Sequence, residues 1–412
     1  MESVYIAGIG MTVFGRHPER TLHDLAGEAL RAALADAGAS TPDLEVAFYS
    51  GMTNGSLQGQ IAIPGQVIFS KIGIEGVPVF NVENACASGS SAMHLAAQYI
   101  RSGACDIALA IGAEKMNIPD KAKAFAIFDA GWDVSQVERN FEFLVKLGDG
   151  VAPPPGSEST RPYSRFMSIY AAMCRHHMKT YGTTQRQIAA VSAKNHQHSV
   201  HNPLSQFRQP FTVEEVLAAA PITYPLTLPM CAPLTDGAAA AVLCSEAGLR
   251  RMAGDRSRAI RIAASVVRSF THRHIDDPQH NISRLAANTA YEQAGLGPQD
   301  VDVAEVHDAS AMGEILQSEN LGFVPMGEGG PAAERGDFTL GGTLPINTSG
   351  GLESKGHPLG ATGIGQLHEL VAQLRGEAGA RQVTGARVAM QENGGGLVGV
   401  EEAAVAIHIL TQ

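Results

Sequence analysis

The sequence predicts an α/β protein built from two similar halves. Strand-like and helix-like segments alternate along the chain, a pattern typical of sheets covered by helices. One order of elements occurs twice, about 250 residues apart, which indicates an internal duplication. The chain has 412 residues, too many for one simple hydrophobic core. We therefore expect an N-terminal half over residues 1–250 and a C-terminal half over residues 251–412.

The first half opens with a strand, a helix and a second strand. Residues 4–10 have the composition of a strand, and residues 22–37 form an amphipathic helical pattern that Gly38 ends. A proline-containing turn then leads into a predicted strand at residues 46–49.

The second half repeats this order. A predicted strand at residues 259–266 precedes a helix at residues 282–294, which ends at Gly295. Another proline-containing turn leads into a strand at residues 301–306. Both helices end in Ala-Gly, and this shared order is the basis for predicting a duplication.

Cys86 lies between a predicted strand at residues 77–82 and a helix predicted from about residue 90 to residue 100. Backbone N–H groups and the helix dipole at such a junction favour a thiolate over a thiol. The flanking residues are small, so a substrate carbonyl could approach the sulfur. The alternative is a buried structural cysteine, the usual fate of a lone cysteine.

Residues 117–228 are less regular and are expected to form a large insertion or lid that shapes the substrate site. They contain a triple-proline loop at residues 153–155 and two helical stretches, at residues 167–181 and 185–196. The histidine-rich clusters in both stretches lack zinc-ligand spacing, and the five cysteines of the chain form no CxxC pair. No metal site is therefore predicted.

Composition excludes some classes of function. The net charge of −11 argues against a nucleic-acid surface. No stretch is long and apolar enough to span a membrane, and the N-terminus lacks a signal-peptide pattern. The cysteine usage suits a reducing compartment, so we expect a cytoplasmic protein.

Three more segments carry candidate catalytic groups. His307 follows a predicted strand, and His357 lies in a glycine-rich stretch at residues 347–363. Glu392 and Gly394 lie at residues 391–396, a glycine-rich connection expected between a strand at residues 387–390 and the last strand. Ligands in α/β sheets gather at the carboxyl ends of strands, so these segments are expected to meet Cys86.

The chemistry of these groups is complementary. A cysteine nucleophile needs a base such as His357, and a carbonyl under attack needs oxyanion donors such as His307 and the N–H groups of Cys86 and Gly394. Taken singly, each histidine is better explained as a structural residue, and the glycines as a flexible surface loop. However, each histidine lies in a glycine-rich or strand-end context beside other candidate groups, and this favours a shared active site.

The chain resembles the thiolase superfamily, most closely the sterol-carrier-protein-x type and related bacterial and archaeal thiolases. The matching motifs span nearly the whole length: Asn-Ala-Cys-Ala-Ser-Gly at 84–89, Asp-Gly-Ala-Ala-Ala at 236–240, His-Asp at 307–308, Gly-His-Pro-Leu-Gly-Ala-Thr-Gly at 356–363 and Gly-Gly-Gly at 394–396. The resemblance implies a thiolase-like fold, in which two βαβαβαββ halves form αβαβα layers with an inserted loop domain.

The resemblance also implies roles for residues. Cys86 would carry the acyl group, His357 would activate it, and His307 would orient a water or a thioester oxygen. The N–H groups of Cys86 and Gly394 would form an oxyanion hole. Coenzyme A would be a co-substrate bound largely by the inserted segment, with no resident cofactor.

One departure concerns the second acid/base cysteine. Many thiolases carry it where this chain has Glu392, and sterol-carrier-protein-x enzymes can supply it where this chain has Ala309. Glu392 could transfer protons if burial raised its pKa, or it could be a structural hydrogen-bonding group. The sequence does not favour either role.

The expected function is thiolytic cleavage of a 3-oxoacyl-CoA, or the reverse Claisen condensation. The substrate is expected to be bulky or aromatic, with benzoylsuccinyl-CoA as one example. Alternatives are acyl transfer or condensation without CoA cleavage, and a partner-dependent subunit that works with a small zinc-ribbon/OB-fold protein. The resemblance also implies a homodimer or a larger oligomer.

Overall fold

The computed structural model describes residues 2–412. Its strands are β1 Val4–Met11, β2 Val46–Ser50, β3 Val79–Val82, β4 Ile107–Glu114, β5 Pro221–Thr223, β6 Leu226–Thr227, β7 Gly237–Ser245, β8 Ile260–Ser269, β9 Val303–Glu305, β10 Val388–Gly395 and β11 Ala404–Thr411. Its helices are α1 Leu22–Ala37, α2 Asn54–Gln58, α3 Pro64–Ile72, α4 Ser88–Arg101, α5 Lys121–Ala126, α6 Val137–Val145, α7 Arg165–Tyr181, α8 Gln185–Ser199, α9 Val213–Ala218, α10 Glu246–Arg251, α11 Ile282–Ala294, α12 Ala311–Asn320, α13 Gly329–Arg335, α14 Gly351–Lys355 and α15 Leu359–Arg375.

Within residues 2–412, one continuous sheet has nine strands in the order β3-β2-β4-β7-β1-β8-β11-β10-β9. Strand β2 pairs in parallel with β3 and β4, and β9 pairs in parallel with β10. The other neighbours are antiparallel. The sheet is therefore mixed.

The two halves of the sheet have the same topology. Outward from the centre, the first half has the order β1-β7-β4-β2-β3 and the second half has the order β8-β11-β10-β9. The four strands of the second half match the first four of the first half, with the same antiparallel and parallel pairings. Ile346 makes an isolated parallel bridge to Ala304 at the position that β3 occupies in the first half. This repeat confirms the predicted duplication.

Helices pack on both sides of the sheet and between its halves. Helix α1 packs on β1, β4 and β7, and α11 packs on β8 and β11. Helices α4 and α15 contact each other and strands of both half-sheets. The layers are therefore helix, half-sheet, central helix pair, half-sheet and helix, as the predicted αβαβα arrangement requires.

The central layer is apolar and closely packed. Met93 and Ala97 of α4 and Leu367 and Leu370 of α15 are fully buried in one cluster. Burial of a leucine or methionine side chain contributes about 1.5–3 kcal/mol to stability. The central helices are therefore a rigid base for the residues at their N-termini.

The predicted elements agree well with the observed ones, with one exception. Helix α11 has the predicted bounds, and α7 and α8 cover both predicted helical stretches between β4 and β7. Residues 391–395 were expected to lie in a glycine-rich connection after a strand, but they are part of β10. Their backbone pairs with β11, so the hydrogen-bond ladder extends to Gly395. Among the described residues, no helix is both long and apolar enough to cross a bilayer.

Candidate active site

Cys86 lies in a tight turn between β3 and α4. Ala85 has a φ of 50°, a left-handed conformation that costs energy for a residue with a Cβ. The turn is held by two backbone hydrogen bonds, from Ala87 N to Asn84 O at 3.0 Å and from Ser88 N to Ala85 O at 3.2 Å. This strained turn holds the cysteine just before the helix begins, as the sequence predicted.

The central helix pair brings the Cys86 turn to His357. His357 precedes α15 as Cys86 precedes α4, so the duplicated topology places both at helix N-termini in the middle layer. The helices approach closely here, because a Cβ on Gly89 would lie 2.7 Å from the carbonyl oxygen of Gly360. A larger side chain at residue 89 would separate the two catalytic segments.

Cys86, His307 and His357 form one cluster. One potential ligand atom from each residue lies within 4.8 Å of those from the other two. The two imidazole rings are nearly perpendicular, at 80°, with centroids 5.2 Å apart. Both histidines are buried, and Cys86 is partly exposed. The structure thus joins three segments that are up to 271 residues apart in the sequence.

The hydrogen bonds of His357 indicate its tautomer. Its Nδ1 lies 2.7 Å from the Oγ1 of Thr362, whose hydroxyl donates to the carbonyl oxygen of Pro358 at 3.0 Å. Thr362 therefore accepts a hydrogen bond from Nδ1–H, which places the ring proton on Nδ1 and leaves Nε2 with a lone pair. Nε2 is buried and has no hydrogen-bond partner among residues 2–412. His357 is thus arranged as a base.

The hydrogen bonds of His307 indicate the opposite tautomer. Ser90 donates to the Oδ1 of Asn393 at 2.8 Å, so the Nδ2 of Asn393 donates to the Nδ1 of His307 at 3.0 Å. Ser90 is itself oriented by the Nε2 of Gln391, which donates to its hydroxyl at 2.7 Å. The proton of His307 then resides on Nε2. His307 is thus arranged as a hydrogen-bond donor.

Burial keeps all three groups neutral. Burial, and secondarily the charge of Glu114, raise the pKa of the Cys86 thiol to about 12. Burial lowers the pKa of His307 to about 4 and that of His357 well below its usual value. The direction of this pKa change is opposite to the predicted preference of Cys86 for the thiolate, because burial disfavours the charged form.

The cluster opens onto a cavity of about 1080 Å³. Cys86, His307, His357, Ala309 and Gly394 contribute to its wall. Aromatic side chains from the inserted segment form much of the remainder: Phe125, Phe128, Tyr163, Phe166, Tyr170, Tyr181, Phe207 and Phe211. The cavity is large enough for an extended, mainly apolar ligand.

Glu392 lies beside this cavity rather than on its wall. Its carboxyl Oε2 accepts the backbone N–H of His307 at 2.9 Å, and the residue is completely buried. Burial and the nearby Glu402 raise its pKa well above the usual value. Glu392 is not among the described residues that form the cavity wall.

Sequence reasoning missed several cavity residues. Cys231, Glu353 and Glu402 carry titratable groups on the wall, and Tyr170 adds a phenol. Cys231 forms an isolated bridge with Ser310, which places it beside Ala309. No motif marks these residues, although Glu353 lies within the glycine-rich segment that precedes His357.

The cluster permits two kinds of chemistry. A thiol beside a base and a hydrogen-bond donor suits nucleophilic attack on a carbonyl. The spacing of Cys86, His307 and His357 could also suit a divalent metal such as zinc, which cysteine and histidine ligands bind.

Comparisons with known proteins show the family of the chain. The N-terminal domain model of the thiolase family matches residues 4–220, and a model described as thiolase C-terminal domain-like matches residues 264–409. Sterol carrier protein 2 of Bos taurus is 39% identical over 405 residues, covering 95% of this chain and 69% of that protein. An acetyl-CoA acetyltransferase of Methanothermobacter thermautotrophicus is 38% identical over 415 residues, covering 100% of both.

Two further relatives extend this result. The benzoylsuccinyl-CoA thiolase subunit BbsB of Thauera aromatica is 34% identical over 397 residues, covering 95% of this chain and 94% of that one. A solved chain of an Ltp2-ChsH2(DUF35) aldolase has a TM-score of 0.75 at 22% identity, covering 99% of this chain and 97% of that chain. The latter likeness shows that the fold is shared.

Proposed function

This chain belongs to the thiolase family of acyltransferases, and from that premise we propose that it is a 3-oxoacyl-CoA thiolase that works through an acyl-Cys86 intermediate. The observation that supports the proposal most is the cluster of Cys86, His307 and His357 within 4.8 Å at the wall of a large cavity. The reaction is CoA-dependent cleavage or, in reverse, Claisen condensation.

In the cleavage direction, Nε2 of His357 takes the proton of the Cys86 thiol as the sulfur attacks the 3-keto carbon. The developing alkoxide accepts a hydrogen bond from Nε2–H of His307. The N–H groups of Cys86 and Gly394 form the oxyanion hole for the thioester stage. Donors already in position before the reaction stabilise the charge without reorganisation.

The lining of the cavity supports a bulky or aromatic acyl group. Aromatic rings of the inserted segment offer stacking and apolar contact to such a group. The relative from Thauera aromatica bears the name of a benzoylsuccinyl-CoA thiolase subunit. We therefore place branched or aromatic 3-oxoacyl-CoA thioesters, with benzoylsuccinyl-CoA as an example, ahead of short linear ones.

Coenzyme A is the proposed co-substrate, bound mainly by the inserted segment. Lys121 and Arg161 of that segment, together with Arg16, line the cavity and carry charges suited to phosphates. The proposed chemistry requires no resident cofactor.

We also propose a homodimer or larger oligomer. Strand β3 is an edge of the sheet, and Phe80 on it is 41% exposed. Open apolar edges are seldom left uncovered, so pairing with a second copy is consistent with this surface.

Intact-mass measurement of the purified protein tests the proposal. Acetoacetyl-CoA, 3-oxo-3-phenylpropionyl-CoA and benzoylsuccinyl-CoA serve as probes. We expect a Cys86 adduct with at least one probe and CoA-dependent release of that adduct, and Cys86→Ala should form none. Failure of every probe to acylate Cys86, with or without a partner protein, contradicts the proposal.

Two alternative functions also use an acyl-Cys86 intermediate, but they differ in how it forms or reacts further. If the adduct forms but CoA does not release it, acyl transfer or condensation without CoA cleavage is favoured. If acylation requires a second protein, the chain is a subunit of a complex, for example with a small zinc-ribbon/OB-fold protein. The second alternative is supported by the relative that is named a subunit.

A further inference from the structure

His307 is the last member of a hydrogen-bond chain of five buried side chains. His408 of β11 pairs with Gln391 of β10, and its Nδ1 lies 2.7 Å from Oε1 of Gln391. From Gln391 the chain passes through Ser90 and Asn393 to Nδ1 of His307, with successive distances of 2.7, 2.8 and 3.0 Å. Of these five residues, His307 alone lies on the cavity wall. The chain therefore connects the site to a residue in the last strand of the sheet.

Two neighbours fix the orientation of the Gln391 amide. Its Nε2 lies 3.0 Å from the carbonyl oxygen of Gly363, which can only accept a hydrogen bond. The same Nε2 lies 2.9 Å from Oε1 of Gln366, whose own Nε2 donates to the carbonyl oxygen of Glu392 at 3.2 Å. The amide nitrogen of Gln391 is therefore directed at α15, and the amide oxygen is directed at His408.

This orientation decides the direction of the remaining hydrogen bonds. An amide nitrogen cannot accept a hydrogen bond, so the hydroxyl proton of Ser90 points away from Gln391 and toward Oδ1 of Asn393. The Asn393 amide then presents its Nδ2 to His307. A reversed Asn393 amide would leave the hydroxyl proton of Ser90 between two nitrogens that cannot accept it.

The other end of the chain has the same direction. Oε1 of Gln391 accepts a hydrogen bond, so the ring proton of His408 resides on Nδ1. Burial, and then the charges of His94 and Arg101, lower the pKa of His408 to about 3, so its ring carries one proton at neutral pH. Nε2 of His408 is buried and has no hydrogen-bond partner among residues 2–412. The single ring proton is thus used to hold Gln391.

The chain occupies space that a glycine leaves open between the two central helices. A Cβ on Gly363 of α15 would overlap Oγ of Ser90 and would lie 2.6 Å from Oδ1 of Asn393. Ser90 belongs to α4, in the other half of the protein. The close approach of α4 and α15 therefore also brings the members of the chain together.

We propose that Gln391 is a positioning residue that sets the tautomer of His307 through Ser90 and Asn393. Its effect on catalysis rests on the proposed thiolase function, in which Nε2–H of His307 donates to the developing alkoxide. Gln391 lies off the cavity wall, so it acts through the hydrogen-bond chain and not on the substrate.

Histidine-selective nitrogen-15 NMR of the full-length protein tests the proposal, because it shows which ring nitrogen carries the proton. The signals of His307 are assigned by their loss in His307→Gln. Gln391→Glu keeps the shape of the side chain, but its carboxylate presents only acceptors to Ser90. Spectra are recorded between pH 7 and pH 10, since burial raises the pKa of a carboxyl group. Ser90→Ala interrupts the chain, and Gln293→Glu on the exposed surface of α11 is the matched control.

We expect the ring proton of His307 on Nε2 in the wild type and in Gln293→Glu. In Gln391→Glu, the hydroxyl proton of Ser90 turns to the carboxylate, the Asn393 amide reverses, and the ring proton of His307 should move to Nδ1. In Ser90→Ala both tautomers should be populated. Adding Gln391→Glu to Ser90→Ala should cause no further change, because the chain is already interrupted. An equal shift in the double variant would show that the charge acts directly and would overturn the proposal.

Two rates separate a change of tautomer from a loss of structure. Thiolysis of 3-oxo-3-phenylpropionyl-CoA should fall about 100-fold in Gln391→Glu, the size typical of a lost oxyanion donor. Alkylation of Cys86 by iodoacetamide needs no oxyanion donor and should stay close to the wild-type rate. If both rates fall while the His307 tautomer is unchanged, Gln391 has a structural role and the assignment is wrong.

The remaining outcomes also decide the question. A ring proton of His307 that stays on Nε2 in Ser90→Ala, or that resides on Nδ1 in the wild type, overturns the proposal. A tautomer that changes in Ser90→Ala but not in Gln391→Glu shows that Gln391 does not set it. A wild-type protein that forms no Cys86 adduct overturns the proposed function, whereas the NMR measurement still decides the role of Gln391.

Discussion

The imidazole rings of His307 and His357 lie at 80° to each other with centroids 5.2 Å apart, and their hydrogen bonds give them opposite tautomers. Thr362 accepts a hydrogen bond from Nδ1–H of His357, whereas Nδ2 of Asn393 donates a hydrogen bond to Nδ1 of His307. One Nε2 is therefore a base and the other a donor. Two identical side chains thus differ in tautomer because of their neighbours.

The first prediction concerns the base. His357→Ala should slow acylation of Cys86 by about 10²–10⁴-fold, because no other group takes the thiol proton. Thr362→Val should slow it about tenfold, since it removes the acceptor that fixes the imidazole tautomer. Rapid-quench intact mass measures both rates. His274→Ala, on the exposed surface, is the control. An acylation rate in His357→Ala within threefold of the wild-type rate would contradict the role of His357 as the base.

The second prediction concerns the donor. Asn393→Asp should lower the thiolysis rate about 100-fold. The new carboxylate would accept a hydrogen bond from Nδ1–H of His307, which places the ring proton on Nδ1 and leaves Nε2 as an acceptor facing the developing oxyanion. Nitrogen-15 NMR of the histidines reports the tautomer directly. Asn140→Asp on α6 is the matched control, and a variant with the His307 tautomer unchanged would show that Asn393 does not set it.

The third prediction concerns pH. Because the pKa of Cys86 is raised to about 12, its thiolate fraction should grow about tenfold per pH unit from pH 7 to pH 10. The rate of alkylation by iodoacetamide, followed on the Cys86 peptide by mass spectrometry, should rise over this range without a plateau. Glutathione is the reference thiol. A plateau with a midpoint near pH 7 would instead indicate a preformed thiolate–imidazolium pair.

The fourth prediction concerns stability. The Lys355 Nζ and a Glu305 carboxyl oxygen form a fully buried ion pair at 3.2 Å just before the His357 segment. Lys355→Met should destabilise the protein by about 3–5 kcal/mol, because the charge of Glu305 would remain buried without its partner. Urea unfolding measures the change. Lys71→Met, on the exposed surface, should stay within about 0.5 kcal/mol of wild type.

The fifth prediction concerns metal. Cys86 is expected to act as a nucleophile, so dialysis against EDTA should leave its acylation rate unchanged. Elemental analysis of untagged protein provides the independent measurement. Stoichiometric zinc that is lost in Cys86→Ala would show instead that the three residues form a metal site.

The sequence predicted much of the fold because its signals are local. Helix α11 was predicted with its observed bounds, since its apolar period and the terminal Gly295 depend only on nearby residues. Cys86, His307 and His357 were recognised from short motifs, and the structure brings them together. Their catalytic roles and the boundary near residue 250 remain predictions.

The signals that the sequence lacked depend on distant neighbours. The extension of β10 to Gly395 results from pairing with β11, and the raised pKa of Cys86 results from burial among segments far apart in the chain. Glu402 stands in no motif, and its place on the cavity wall appears only when the strands pair. By itself, the sequence therefore determined the elements and the duplication, and it singled out Cys86 as the expected nucleophile. The tertiary structure decided protonation, tautomers and which carboxyl groups reach the cavity, because these depend on desolvation and on contacts between residues far apart in sequence.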